Sequence, residues 1–383
     1  MIISKEIVYI DSLEEFSALS FLLDSLNSSD FVSMDTEFTR TKTYYPRFDL
    51  LQLNIKGISY ILDPISFDLR NVIKSLNNTK ALVLMFSGRE DIDVLSRFSK
   101  LNGITPLLPQ RIADVQLLAA FLNLSYTQGL QSSLKDYLDV EVAKSETLSD
   151  WEKRPLTASQ ILYASDDVAH LENLYKKYLS FIKKEDIRLA WFFEEMQECA
   201  NHTLRVIDPK DIYLSISGAG SLTKVQLQRL AFLAYKREIY AREKDVALSR
   251  IIPNKSIVQV AVNTPLTFQA LASCKVKWGA IRQQGSVVIE WVKESLTLDL
   301  NTTLKAPFDS VVNTKDGSDE SRRLKHELLM AAQKAQIRSE LLLQKSYIYD
   351  YLYAKHRGGK ALIESGWRYE CIGKIDFSKI KKP

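Results

Sequence analysis

The chain has 383 residues and a mass of 43.8 kDa, with 46% hydrophobic and 26% charged residues, 13 Gly and 10 Pro. This is ordinary globular usage, long enough for two or three domains, and it excludes collagen-like and long low-complexity architectures. The net charge of +4 conceals a division: residues 1–200 carry 21 Lys+Arg and 29 Asp+Glu, a net of −8, whereas residues 201–383 carry 30 and 18, a net of +12. A basic second part either offers a surface to phosphates, which release condensed counterions when neutralised, or is a solvated face with no ligand. An acidic first part repels phosphates unless cations intervene. The early charges Lys5 and Glu6 predict no secretory leader. The uncharged residues 115–134 include Gln116, Asn123, Gln128 and Gln131, too polar a set to span a bilayer. Cys199, Cys274 and Cys371 form no CxxC, which argues against thiolate zinc or a disulfide framework and predicts a reducing cytoplasm.

In chain order, residues 6–10 read as a strand and 11–26 as a helix, since Leu13, Phe16, Leu19, Leu22 and Leu23 recur at helical spacing. Residues 31–34, 50–54 and 59–62 read as strands, the last two forming a hairpin around Lys56-Gly57. Residues 81–86 are a continuous apolar run, as expected of a strand buried on both faces. Helices are predicted over 89–98, 115–122, 130–138 and, as one long element, 157–179. The class is α/β, a mixed sheet with helices around it. Strands stop near residue 184. Residues 187–205 form one helical pattern, 211–294 a compact helical unit around a main helix at 223–243, and 320–372 a second helical unit. Residues 301–318 read as a polar linker, and a weak duplication of a helical module of about 70 residues is visible.

Imidazole and hydroxyl chemistry find no frame: His170, His202, His326 and His356 lie in no HExxH, and no GxSxG elbow occurs. Gly218-Ala-Gly220 reads as a turn and Gly358-Gly359 as a helix end. The carboxylates say more. Asp-x-Glu occurs at Asp35/Glu37, Asp139/Glu141 and Asp150/Glu152. The last two sit in loop-like surroundings and read as surface charge. The first follows an apolar strand, with both acids on one side at its carboxyl end. Two such anions repel each other and lose hydration, and a hard divalent cation is the usual compensation. Asp91 follows the buried run 81–86 at the start of a helix. Asp167 lies one turn after Tyr163 on a common helix face. Four acids beside the ends of α/β elements, without His, fit a two-metal phosphodiesterase site.

Asp35-Thr-Glu-Phe38, Gly88-Arg-Glu-Asp91 and Tyr163-Ala-Ser-Asp-Asp167 resemble, in order, spacing and flanks, the three exonuclease motifs of the DEDD superfamily, tyrosine subgroup. Thr43-Tyr-Tyr-Pro46, Leu51-Gln-Leu53, Lys144-Ser-Glu146, Asp150-Trp151 and Arg154-Pro-Leu156 are similar to segments of the ribonuclease D family. Residues 221–253 resemble a helicase-and-RNase-D C-terminal (HRDC) domain, and residues 320–372 a second one. The resemblance implies a ribonuclease H-like mixed-sheet exonuclease domain at 1–208, HRDC domain 1 at 209–296, a linker at 297–318 and an HRDC-like domain 2 at 319–383. It implies a metal-dependent 3′–5′ exoribonuclease that releases nucleoside 5′-monophosphates from tRNA precursors and other structured RNA, as a cytoplasmic monomer away from membranes. Asp35, Glu37 and Asp167 would hold one divalent metal ion, Mg²⁺ or Mn²⁺, and Asp35 would bridge to a second supported by Asp91. Tyr163, too basic at a pKa of about 10 to act as a base, would orient the attacking water. Phe38, Tyr45, Gln52, Trp151 and Arg154 are the expected substrate contacts. Phe38, Tyr44, Tyr45 and Trp151 offer rings that could stack on terminal bases or equally pack a core. Phe86 stands where the family has His, and Lys236 where it has Trp. The alternatives are a DNA exonuclease, disfavoured by the lack of helicase or polymerase motifs, and an inactive RNA-binding fold, disfavoured because all four acids and Tyr163 are present.

Overall fold

The computed structural model describes residues 6–10, 12–142, 146, 149–205, 207–299, 303–312 and 314–373. The predicted helix residue Asp11, the family-like Lys144 and Ser145, linker residues 301, 302 and 313, and residues 374–383 of the last predicted domain lie outside them. The chain divides into two compact units. The first comprises Met1–Thr39, Pro46–Arg205 and Ala332–Leu341; the second comprises Arg40–Tyr45, Val206–Ala331 and Leu342–Pro383.

The first unit is built on six strands: β1 (Glu6–Ile10), β2 (Phe31–Thr39), β3 (Arg47–Ile55), β4 (Ile58–Leu62), β5 (Leu82–Met85) and β6 (Ile112–Asp114), in the order β1-β4-β3-β2-β5-β6. β1 runs parallel to β4, β3 antiparallel to both β4 and β2, and β2, β5 and β6 parallel to one another. Its helices are α1 (Leu13–Ser25), α2 (Arg70–Asn78), α3 (Arg89–Leu101), α4 (Val115–Phe121), α5 (Leu130–Leu138), α6 (Ala158–Ala169), α7 (Leu171–Leu179) and α8 (Ile187–Leu204). Their starts follow capping chemistry. Ser12 accepts from the Glu15 N–H, Asp186 accepts from the Arg188 N–H, and Thr157 with Gln160 closes a capping box on α6.

Two sequence expectations change. The strand expected at 31–34 continues to Thr39, so Asp35 and Glu37 sit within β2 rather than after it. The long helix expected at 157–179 breaks at His170 (φ −115°, ψ 0°), which ends α6 and starts α7. The break lets α6 lie over β2, β3 and β4 while α7 packs against α5, β2 and β5. The short elements α2 and β6 complete the alternation; α2 buries Val72, Ile73 and Leu76 at helical spacing.

The second unit is helical: α9 (Lys224–Lys244), α10 (Asn254–Asn263), α11 (Phe268–Ser273), α12 (Trp278–Ser295), α13 (Lys315–Ala335, whose last four residues belong to the first unit), α14 (Lys345–Arg357) and α15 (Gly366–Ile372). Leu230, Leu233, Ala234, Ile257, Val260, Ile281, Val288 and Trp291 form one of its cores. The expected linker is partly built. Asp309 is buried and accepts hydrogen bonds from the Gly218 and Gly220 N–H groups at 2.7 and 2.8 Å, and α13 begins at Lys315. A Cβ on Gly220 would meet Ser310 Cα at 2.5 Å, which explains the glycine in that turn. Lys236 pairs with Glu294 at 2.7 Å and lies 5.3 Å above the Phe232 ring, a packing answer to the absent Trp.

Candidate active site

β2 carries the first two acids. Residues alternate along it, so Asp35 and Glu37 share a face, and in the antiparallel register they stand opposite Gln52 and Leu50 of β3. α6 covers that face and brings Asp167. One carboxylate oxygen each from Asp35, Glu37 and Asp167 lies within 4.8 Å of the others. The fourth acid arrives differently. β5 pairs with β2 only as far as Ser33, so the Thr36 N–H, further along, has no strand partner on that side. Asp91, in the first turn of α3, takes it: its Oδ1 accepts from the Thr36 N–H at 3.0 Å and also from the Thr36 hydroxyl. Thr36, between the two acids of β2, therefore ties Asp91 to Asp35 and Glu37.

The electrostatics follow from this crowding. Burial, then Asp91, Asp167 and Glu37, push the Asp35 carboxyl well above the usual carboxylate range. Burial, then Asp167 and Asp91, raise Glu37 to about 9. Burial lifts Asp167 to about 7 against a hydrogen bond from the Tyr163 hydroxyl, and lifts Asp91 to about 6 against the two Thr36 bonds. Clustered hard oxygen donors whose ionised forms repel one another suit a divalent cation. Asp35, Glu37 and Asp167 are the residues that would hold it.

The expected substrate contacts separate. Gln52 is fully buried beside Asp35, and neither its Nε2 nor its Oε1 has a hydrogen-bond partner. Phe38 is half-buried, just past the bulge at Glu37/Phe38. Trp151 is 4% exposed and packs with Leu50, Ile61, Leu156 and Ala164, its ring 6.1 Å from that of Tyr163. Such a ring is framework and offers no face to a base. Arg154 is likewise committed. Its Nε and Nη2 reach the two oxygens of Asp63 at 2.5 and 2.7 Å, and it also donates to the Asp49 and Trp151 carbonyls. Burial would raise Asp63, but the bonds from Arg154, Ser66 and Ile65 outweigh it and hold the group below its ordinary value. Tyr45 belongs to the second unit, where its N–H and that of Tyr44 donate to Asp245 Oδ1 at 3.0 and 3.1 Å. The Tyr44 hydroxyl donates to Glu238 and accepts from Arg242, so its ring is an anchor within that unit. Residue-by-residue reading missed Thr36 as a clamp on Asp91. The signal was its place inside Asp-Thr-Glu, but nothing in the sequence links it to position 91.

A mixed sheet with an acidic cluster on β2, completed from α3 and α6, defines a class of protein: residues 8–182 match the family of 3′–5′ exonuclease domains. The ribonuclease D of Serratia proteamaculans is 30% identical over 349 residues, covering 89% of this chain and 91% of that one. That of Escherichia coli is 28% identical and covers 93% and 94%. The crystal structure of Escherichia coli RNase D, described as an exoribonuclease involved in structured RNA processing, superposes with a TM-score of 0.82 at 26% identity over 96% of each chain. The chain belongs to the ribonuclease D family and is a 3′–5′ exoribonuclease.

Two predictions follow from the cluster. The folded-state values of these acids lie above those of an unfolded chain, about 3.9 for Asp and 4.3 for Glu. The metal-free fold thus holds protons that the unfolded chain has released, and these acids lower its stability progressively as pH rises from about 4 to about 9. A cation replaces those protons, so the gain in melting temperature on adding Mg²⁺ should be small at pH 5 and grow toward pH 9. A gain that is flat or largest at pH 5 would contradict this. Thr36→Val removes one of two bonds to Asp91 while keeping the N–H bond. A bond to a charged group is worth about 1.5–3 kcal/mol, so kcat should fall roughly tenfold or more with only a modest change in melting temperature. Steady-state kinetics beside a melting curve decide it, and an unchanged kcat counts against the clamp.

Proposed function

We propose that the chain trims the 3′ ends of structured RNA, tRNA precursors foremost, by two-metal-ion hydrolysis that releases nucleoside 5′-monophosphates. The observation that carries this reading is the convergence of Asp35, Glu37 and Asp167 oxygens within 4.8 Å, with Asp91 tied to the same strand through Thr36. Asp35, Glu37 and Asp167 would hold one Mg²⁺ or Mn²⁺, and Asp35 with Asp91 the second. Ions bound there would acidify the attacking water and offset the charge that gathers on the leaving 3′ oxygen. The Tyr163 hydroxyl, a hydrogen-bond donor to Asp167 in this structure, orients that carboxylate and, turned toward the water, fixes the line of attack. Phe38, half-buried beside Glu37, offers a ring to the terminal nucleotide, whereas Gln52 is fully buried beside Asp35 and supports the acids from behind. Trp151 and Arg154 are left out of the contact set, because both are spent on the frame.

We read the helical unit as two HRDC-type modules that hold the body of the RNA, in a cytoplasmic monomer. No helix among the described residues is long and apolar enough to cross a membrane. α9 carries Lys224, Arg229, Lys236, Arg237, Arg242 and Lys244, but these cations are not equally available. Arg237 is buried and donates to the Ile252 carbonyl and Asn254, Arg242 pairs with Glu238, and Lys236 pairs with Glu294. Lys224 and Lys244 are exposed, so they are the α9 cations best placed for phosphates.

Asp35→Asn should nearly abolish metal-dependent degradation of 3′-extended tRNA while leaving the melting temperature of the metal-free protein equal or higher, since a neutral amide replaces a carboxyl that the fold must keep protonated. Tyr163→Phe should lower kcat by roughly 10²–10³-fold with little change in RNA affinity. Near-wild-type turnover by clean Asp35→Asn protein would sink the mechanism. Lys224→Ala/Lys244→Ala should flatten the dependence of log affinity on log salt by up to about 1.8, at 0.7–0.9 per phosphate lost. Its kcat on a short oligonucleotide should not change. An identical salt slope would remove α9 from the RNA surface.

A further inference from the structure

We infer that Asp114 is a positioning residue for the reaction: by holding the Ser87–Gly88 turn, it sets where Asp91 stands against the acids of β2. The inference rests on the reading of Asp91 as part of the metal-holding set.

Asp114 closes β6 and caps α4. Its Oδ1 accepts from the Gln116 and Leu117 N–H groups at 2.9 and 3.2 Å, an ordinary N-cap arrangement. The same carboxylate also reaches sideways to the neighbouring chain segment. Oδ1 accepts from the Ser87 N–H at 3.0 Å and Oδ2 from the Gly88 N–H at 2.9 Å. Four backbone donors from two connections thus converge on one side chain. β6 pairs with β5 with Met85 opposite Asp114, which brings the carboxylate beside the turn that leaves β5.

That turn is not one the chain adopts freely. Ser87 has φ +59°, a left-handed conformation that costs a non-glycine residue energy and relaxes unless something holds it. Gly88 has no room for a side chain: a Cβ there would meet Met85 Cβ at 2.5 Å and Sδ at 2.7 Å. Gly88 is the N-cap of α3, and it offers no side-chain oxygen to the helix start. Beside the packing of Ile92 and Leu95, the two bonds from Ser87 and Gly88 to Asp114 therefore hold the first turn of α3. Asp91 lies in that first turn, three residues after Gly88. Its carboxylate is held by Thr36 on one side, and its backbone is held through Asp114 on the other. Without Asp114 the Thr36 bonds and the packing of α3 remain, but the turn that leads into the helix start loses both of its side-chain bonds.

The test uses the full chain carrying Asp114→Ala, Asp114→Asn, Asp91→Asn or Arg111→Ala. Arg111 serves as the structural control, because its guanidinium bonds the Ser28 and Lys80 carbonyls and touches neither the turn nor the acids. Mn²⁺ is titrated into RNA-free protein with free ion read by electron paramagnetic resonance, alongside melting temperature and kcat at saturating Mn²⁺. Outer partners of metal-holding groups are worth about 10–100-fold in affinity or activity. Asp114→Ala should weaken Mn²⁺ binding and lower kcat within that range. Asp114→Asn, whose amide oxygen still accepts, should fall between it and wild type. Arg111→Ala should lower the melting temperature with Mn²⁺ affinity unchanged. Wild-type Mn²⁺ affinity and kcat in folded Asp114→Ala overturn the inference. Should that variant not fold, unchanged Mn²⁺ affinity in Asp114→Asn overturns it equally. If Asp91→Asn itself leaves Mn²⁺ affinity unchanged, Asp91 leaves the metal-holding set and the role of Asp114 falls with it. If Asp91→Asn is weakened and Asp114→Asn is not, only the role of Asp114 fails.

Discussion

The repulsion among Asp35, Glu37, Asp91 and Asp167 is the constraint around which the first unit is organised. Left alone, carboxylates buried this close together lower the stability of any fold that assembles them: burial comes first in raising all four, and neighbouring acids add to it at Asp35, Glu37 and Asp167. A fold accepts such a cost when each acid is prevented from swinging away. Here the restraints come from different parts of the chain: the β2 backbone fixes Asp35 and Glu37, Thr36 fixes Asp91, and the capping box of α6 with the Tyr163 hydroxyl fixes Asp167. The stabilisation that offsets the repulsion lies behind them, where Leu51, Leu53, Met34, Val83 and Leu84 of the central strands are fully buried.

The same logic explains why Trp151 and Arg154 are framework. The face of the sheet that carries the acids needs a wall that is dry and does not move. Trp151 fills that wall beside Leu50 and Ala164, and the Arg154–Asp63 pair pins the segment that leads into α6. A guanidinium with its carboxylate 1% exposed and its remaining donors on backbone carbonyls has nothing left for a phosphate. Residues adjacent to a motif can thus be there for the motif's backbone rather than for the substrate.

What the sequence made legible was local or periodic. The apolar run at 81–86, the helical spacing of α1 and α9 and the alternation that puts Asp35 and Glu37 on one face all follow from neighbours within a few positions. The places of Asp91 and Asp167 beside element ends were legible too, and the ordered motifs added the family. What stayed hidden were polar contacts between distant residues, because a hydrogen bond across the fold leaves no period behind. Arg154 meets Asp63 from 91 positions away, Asp309 meets Gly218 from 91, and Thr36 meets Asp91 from 55. Asp114 is the sharpest case: it ends the three-residue strand β6, too short to show a period, and nothing in the sequence links it to positions 87 and 88.

The hidden contacts also change the meaning of a domain boundary. The family resemblance implies a boundary at residue 208, and the main segment of the first unit ends close by at Arg205. Yet the first unit also includes Ala332–Leu341, where the Arg338 N–H donates to the Ala120 carbonyl and the Gln336 carbonyl accepts from Arg188. The second unit in turn includes Arg40–Tyr45, bonded to Asp245, Ala247 and Arg250. A cut at that boundary therefore removes a structural segment from one unit and leaves another without its partners. Loss of RNA binding in a truncated protein would then mix a missing basic surface with an unfinished fold. Substitutions at exposed cations of the full chain keep the two effects apart, because Lys224 and Lys244 can lose their charges without disturbing any of these segments.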